Sequence, residues 1–131
     1  MIIGIGMDTV HIPRIEELYK RYGTKLLQKV LTLQELDLIT SASNKKTISH
    51  LAKRFAAKEA LVKAIGTGFS RGISLQDIEI FNNQAGKPYY ALNKKIEDYI
   101  ILYLSGNKKF TTHLTLSDEY PIAAAFTIIE C

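Results

Sequence analysis

The stretch from Arg54 to Gly68, RFAAKEALVKAIGTG, constrains this chain more than any other. At about 100° per residue, Leu51, Phe55, Leu61, Val62 and Ile65 gather on one side of a helix, while Ala56, Ala57, Ala60 and Ala64 cover much of the other. A helix that is apolar or small nearly all round packs on every side and belongs inside a protein. Lys58 nevertheless falls in the middle of the large apolar stripe, with Glu59 and Lys63 along its border. An unpaired buried charge costs several kcal/mol. These side chains therefore need partners, and Glu59 needs a cation.

The elements around this helix follow from pattern. IIGIGMD alternates apolar residues with glycine and reads as a short strand that stops at Asp8; Pro13 suits the first turn of a helix whose apolar side is Ile12, Ile15, Leu18 and Tyr19. A second helix covers Lys25 to Val30. TLQELDLI reads as a third, with Thr32 as N-cap and Glu35 in the capping-box position. Ser49, or a residue shortly before it, starts the long helix, which ends near Gly66 and Gly68. Then the period changes. LQDIEIF and the run into PYYAL form one hairpin across Asn-Gln-Ala-Gly, KKIEDYIILYL returns to helical spacing, and FTTHLTL with PIAAAFTII forms a second hairpin through Ser117, Asp118 and Glu119. Helices early, mainly antiparallel strands late and one crossover helix define an α+β fold. The place of the first strand in the sheet stays open.

A length of 131 residues fits one domain, 1–131, with no repeat or linker. No apolar run approaches the ~20 residues of a membrane span, and the N-terminus has no basic leader, so the expectation is a cytoplasmic protein without membrane contact. The single cysteine, Cys131, excludes a disulfide within the chain and a cysteine zinc cluster. The net charge of +4 points to an anionic partner: nucleic acid, a phosphorylated small molecule or an acidic protein surface.

Asp8 stands at the end of a strand beside two glycines, where a solvated turn residue is the plain alternative to a functional carboxylate. Glu59 and Lys63, at i and i+4, have the order of a helical ion pair. Two carboxylates from different elements, without a His or Cys cluster, suit Mg²⁺, which takes one or two protein carboxylates and completes its shell with water and phosphate oxygens. Asp8 and Glu59 fill that role if the first strand packs beside the long helix. Arg54, Lys58 and Lys63, with Lys53, then supply positive charge for phosphate oxygens. Gly66, Gly68 and Gly72 add backbone amides near the helix end, although a plain C-cap and turn is the better reading of those glycines alone.

IGIGMDTVHIPRI and RFAAKEALVKAIGTG together resemble the paired signatures of the holo-[acyl-carrier-protein] synthases, the short-chain bacterial 4′-phosphopantetheinyl transferases. Asp8, Arg14-Ile15, Phe55, Lys58-Glu59 and Lys63-Ala64 stand at the spacing of that family, and the similarity runs on through SLQDIEIFNNQAGKPYY and HLTLSDEYPIAAAFTIIE. The resemblance implies the fold of those transferases and a Mg²⁺-dependent transfer of the phosphopantetheine arm of coenzyme A to a serine of apo acyl carrier protein, in support of fatty acid biosynthesis. It gives the metal to Asp8 and Glu59, the scissile pyrophosphate to Lys63, and the serine proton to Glu59, directly or through a water. It gives nucleotide contacts to His113, which from the residues alone reads as a structural hydrogen-bonding group, and to the turn at Gly86, Lys87 and Pro88. It also implies homotrimers with sites between subunits, and docking of the acidic carrier through Arg14, with Arg21 and Lys25 as helpers or as a solvated basic face. One departure is Ser117-Asp118-Glu119, where many members carry a second histidine.

Two rivals come from other classes. A basic nucleic-acid-binding module accounts for the lysines but lacks an aromatic stacking platform and any recognition signature. A Mg²⁺-dependent phosphohydrolase accounts for Asp8, Glu59 and the lysines, and predicts phosphate release without a carrier.

Overall fold

The computed structural model describes residues 1–39 and 42–131. Strand β1 (Ile2–His11) leads directly into α1 (Ile12–Tyr22), followed by α2 (Thr24–Val30), α3 (Leu33–Asp37) and the long α4 (Asn44–Ile65). A single 3₁₀ turn, Leu75–Asp77, precedes the hairpin of β2 (Ile78–Asn82) and β3 (Pro88–Leu92). Helix α5 (Lys94–Tyr103) and the hairpin of β4 (Thr111–Glu119) and β5 (Ile122–Glu130) complete the chain. The fold is α+β, as its period changes predict.

The place of the first strand is now fixed. β1 lies at the edge of a three-stranded antiparallel sheet of order β1-β5-β4, while β2 and β3 form a separate ribbon whose second strand packs near β4. β1 also runs past Asp8 to His11, opposite Ala125 down to Ile122, because β5 offers a partner along that whole length. Three other boundaries move. α4 begins at Asn44, five residues before Ser49, with the Ser43 Oγ accepting from the Lys46 N–H; its first three residues are exposed and polar, so apolar periodicity missed them. Ser117, Asp118 and Glu119 lie in β4 opposite Ala124, Ala123 and Ile122, and the turn falls at Tyr120-Pro121. Leu75 to Asp77, expected as strand, instead turns so that Asp77 accepts from the Ser74 N–H at 2.9 Å.

α4 lies across β1 and β5, and its alanines let the backbones approach. A Cβ on Gly6 would stand 1.9 Å from the Ala60 carbonyl oxygen, and one on Gly4 would stand 2.4 Å from that of Ala64. Only glycine fits at either position. The opposite face of the sheet is uncovered: Ile5, Met7, Ile122 and Phe126 are all exposed, with Met7 paired directly to Phe126.

Candidate active site

The close contact of β1 with α4 brings Asp8 of the strand to Glu59 and Lys63 of the helix. Asp8 follows the two glycines, and 59 and 63 are one helical turn apart, so the three carry their charges to one end of the β1–α4 seam. The Lys63 ammonium donates to Asp8 Oδ1 at 2.9 Å and to the Met7 carbonyl at 3.1 Å. The i,i+4 pair with Glu59 is therefore not the contact Lys63 makes; Asp8 offers a carboxylate whose side chain is only 15% exposed. Glu59 has neither an ion pair nor a hydrogen bond to another described residue. Burial raises its pKa above the ordinary glutamate value and the neighbouring charge of Asp8 adds to the rise, while Lys63 opposes it.

Asp8 and Glu59 line one cavity of about 580 Å³, which Arg14 of α1 also enters, with Leu18, Phe55 and Ile122 as apolar wall. Among the described residues no group of three or more His, Cys, Asp or Glu side chains is poised around one point. The acid pair instead suits a cation that keeps water and substrate oxygens in most of its shell, which is the habit of Mg²⁺. Two observations agree with that donor set. Negative charge is in excess at Glu59, and an ammonium already sits against Asp8.

Two expected phosphate ligands take other roles. Lys58 is fully buried and donates to Glu35 Oε1 at 2.6 Å, to the Val30 carbonyl at 2.7 Å and to the Leu75 carbonyl at 3.1 Å. Three acceptors saturate an ammonium, so Lys58 locks α4 to α2, α3 and the 3₁₀ turn and has no donor left for a ligand. Gly66, at φ 81°, caps α4: its N–H donates to the carbonyls of Val62 and Lys63, and the N–H groups of Thr67 and Gly68 also turn back to Val62. These amides are engaged in the cap and do not face outward as a phosphate nest.

Arg54 lies about 140° around the helix axis from Glu59, five residues at 100° each less one full turn. It belongs to a different cavity. There it is 4% exposed, donates to Asn82 Oδ1 at 3.0 Å, and shares the wall with Gly86 and Pro88. Pro88 also borders a shallow recess with His113, whose Nε2 stands 2.8 Å from Glu130 Oε1. The expected residues thus form two groups on one chain, Asp8, Glu59 and Arg14 around the first cavity with Lys63 bonded to Asp8, and Arg54, Gly86, Pro88 and His113 around the others. Arg21 and Lys25 are exposed; Arg21 lies 6.0 Å from the Tyr22 ring, and Lys25 borders an apolar groove that continues from the first cavity along Leu18, Leu26 and Phe55. Sequence reasoning missed Glu35 as the partner of Lys58, having read it only as a cap. It also missed His50, Asn82 and Asp118 beside Arg54; no local pattern marks them, because they meet only across α4, β2 and β4.

Comparison with known proteins places the chain in a family. The family model described as the 4′-phosphopantetheinyl transferase superfamily matches residues 4–125. A holo-[acyl-carrier-protein] synthase of Wolbachia pipientis subsp. Culex pipiens (strain wPip) is 46% identical over 98% of this chain and 98% of its own length. The crystal structure of the synthase from Neisseria meningitidis matches with a TM-score of 0.86 at 36% identity, covering 100% of both chains. That of a synthase from Bacillus anthracis str. Ames, in complex with CoA (3′,5′-ADP), matches with a TM-score of 0.81 at 31% identity over 99% of this chain and 97% of its own. The chain belongs to the 4′-phosphopantetheinyl transferase superfamily.

Proposed function

We propose that the protein transfers the 4′-phosphopantetheine arm of coenzyme A to a serine hydroxyl of apo acyl carrier protein, releasing adenosine 3′,5′-bisphosphate and serving fatty acid biosynthesis. The observation that carries this reading is the meeting of Asp8, Glu59 and Arg14 at one cavity, with Lys63 bonded to Asp8. The Bacillus anthracis relative, in complex with CoA (3′,5′-ADP), supports coenzyme A as the donor.

Asp8 and Glu59 hold Mg²⁺ in this reading, and the ion, when bound, neutralises charge on the pyrophosphate. The serine oxygen forms a bond to the phosphorus that bears the pantetheine arm, while the bond from that phosphorus to the adenosine bisphosphate oxygen breaks. The serine proton goes to Glu59, directly or through a water. Lys63, 52% exposed and using only part of its donor capacity on Asp8 and Met7, turns toward the leaving oxygen. Arg14, with Arg21 and Lys25 beyond it, offers the positive face that an acidic carrier helix requires.

The working unit is a homotrimer in the cytoplasm. The uncovered apolar strip of Ile5, Met7, Ile122 and Phe126 favours self-association. The division of the site residues into two groups favours it further, since a nucleotide held near His113 and Pro88 of one subunit then meets Asp8 and Glu59 of the next.

The test is product analysis. Folded protein with coenzyme A, Mg²⁺ and an apo carrier protein releases adenosine 3′,5′-bisphosphate, and omitting the carrier or chelating the metal abolishes release. Orthophosphate formed without a carrier would instead favour the phosphohydrolase.

A further inference from the structure

Helix α2 has seven residues, and a helix that short does not hold its shape in water unaided. Leu27 and Val30 pack it on one side, but its start has no side-chain cap: the residue before it is Gly23, at φ 55°. Its other end is held far more firmly. A helix leaves its last four carbonyls without partners of its own, and in α2 each of them has a donor. The Leu31 N–H donates to the Leu27 carbonyl at 2.8 Å. Gln76 Nε2 donates to the carbonyls of Gln28 at 2.9 Å and Lys29 at 3.2 Å, and also to that of Leu31, just past the helix, at 3.0 Å. The Lys58 ammonium donates to the Val30 carbonyl at 2.7 Å, and its charge suits the negative end of the helix dipole.

Gln76 reaches α2 from a braced platform. It stands in the 3₁₀ turn, where Lys58 also holds the Leu75 carbonyl at 3.1 Å. On its other side Asp77 accepts from the Ser74 N–H at 2.9 Å, from Asn93 at 2.7 Å and from Lys95 at 3.2 Å. Gln76 itself is exposed, so it adds little to the core. Its amide spends both hydrogens on the backbone of another element, one of them shared between two carbonyls. That is the arrangement of a clamp.

What the clamp holds is one wall of a groove. Lys25, Leu26, Lys29 and Val30 of α2 line the apolar groove that runs on from the cavity of Asp8 and Glu59, with Leu18 and Phe55 opposite. At i, i+1, i+4 and i+5 these four share one face of the helix. We infer that Gln76 is a positioning residue for carrier recognition: together with Lys58 it fixes the carbonyl end of α2, and so sets where Lys25 and Lys29 stand relative to Arg14. The inference rests on the transferase reading, in which the acidic carrier docks through Arg14 with Lys25 beyond it. Without Gln76, α2 is free to turn about Gly23, and its two lysines leave the line that an acidic helix meets. The residues assigned to the pyrophosphate, Asp8, Glu59 and Lys63, sit on β1 and α4 and do not move with α2.

The experiment is steady-state transfer by the full-length protein, wild type and Gln76→Met, with apo carrier protein and coenzyme A varied in turn. Methionine is close in size to glutamine and uncharged, and it has no hydrogen to donate. The KM for carrier is expected to rise about three- to tenfold, while kcat and the KM for coenzyme A stay as in wild type. Hydrogen exchange should quicken at the amides of α2 and keep its protection in α1 and α4. Gln76→Ala, at the same exposed position, serves if the methionine variant does not fold. An unchanged KM for carrier, or equal rises in both KM values, overturns the clamp. A raised KM for carrier without faster exchange in α2 also overturns it, because Gln76 would then touch the carrier itself. A folded wild type that modifies no apo carrier overturns the transferase reading and this inference with it, whereas an active wild type beside an indifferent Gln76→Met rejects the clamp alone.

Discussion

At the scale of single residues, the helix that raised the question carries two charges side by side with opposite duties. Lys58 is a core residue with three acceptors, and Glu59 is a cavity residue with none among its described neighbours. Replacing Lys58 by Met leaves the buried Glu35 without its cation and is expected to cost about 3–5 kcal/mol in urea unfolding. The double variant Lys58→Met with Glu35→Leu should recover only part of that loss, since it removes the buried charge but leaves the Thr32 and Ile80 N–H groups and the Val30 and Leu75 carbonyls without these partners. Glu59→Gln behaves in the opposite way. A carboxylate whose folded pKa is raised binds its proton more readily when folded, so ionisation at neutral pH weighs against the fold. Stability from this group is present below its ordinary pKa and declines as pH rises through the raised one. The glutamine variant should therefore melt slightly higher than wild type at neutral pH without metal, by roughly 1–3 °C, while transfer activity falls about 10²–10⁴-fold. A variant that melts lower and keeps its activity would show that Glu59 is an ordinary structural group.

At the scale of elements, the seam between β1 and α4 assembles the chemistry. Gly6→Ala has no room beside the Ala60 carbonyl, so strand and helix must part. A loss of about 1–3 kcal/mol is expected, accompanied by weaker Mg²⁺ binding in a calorimetric titration, because Asp8 moves with the strand. Unchanged metal affinity in a destabilised Gly6→Ala protein would separate the site from the seam. Part of this was legible in the sequence: the strand ending beside Asp8 and the helix packed on its alanine side were both read, and the capping box at Thr32 and Glu35 forms as its spacing requires. Other features were not legible, each for a physical reason. A buried lysine and a ligand lysine have the same local pattern, and only the tertiary position of Glu35 tells them apart. Arg54 and Glu59 are five residues apart in sequence but point into different cavities. The first three residues of α4 are exposed and polar, so no apolar period marks them.

At the scale of the whole molecule, the two groups of site residues and the bare face of the sheet both call for further copies of the chain. Phe126→Glu inserts a charge in the middle of the apolar strip. Light scattering after size exclusion is expected to report a trimer for wild type and a smaller species for this variant, with activity lost in parallel. A monomeric wild type with full activity would mean that one chain holds a complete site. In the proposed reading Arg14, at the same cavity as Asp8 and Glu59, docks the carrier. Arg14→Glu should raise the KM for carrier protein and flatten its dependence on salt, with the KM for coenzyme A unchanged. A change in the coenzyme A value instead would move Arg14 to the nucleotide site.

The central claim is that Asp8, Glu59 and Lys63 act as one unit on the pyrophosphate of coenzyme A. Intact-protein mass spectrometry of an apo acyl carrier protein tests it most directly, after incubation with coenzyme A, Mg²⁺ and either wild type or Glu59→Gln. The account predicts a gain of about 340 Da on the carrier, one phosphopantetheine, with wild type and a near absence of gain with the variant over the same time. No gain with folded wild type across several apo carriers, or an equal gain with the variant, would contradict it.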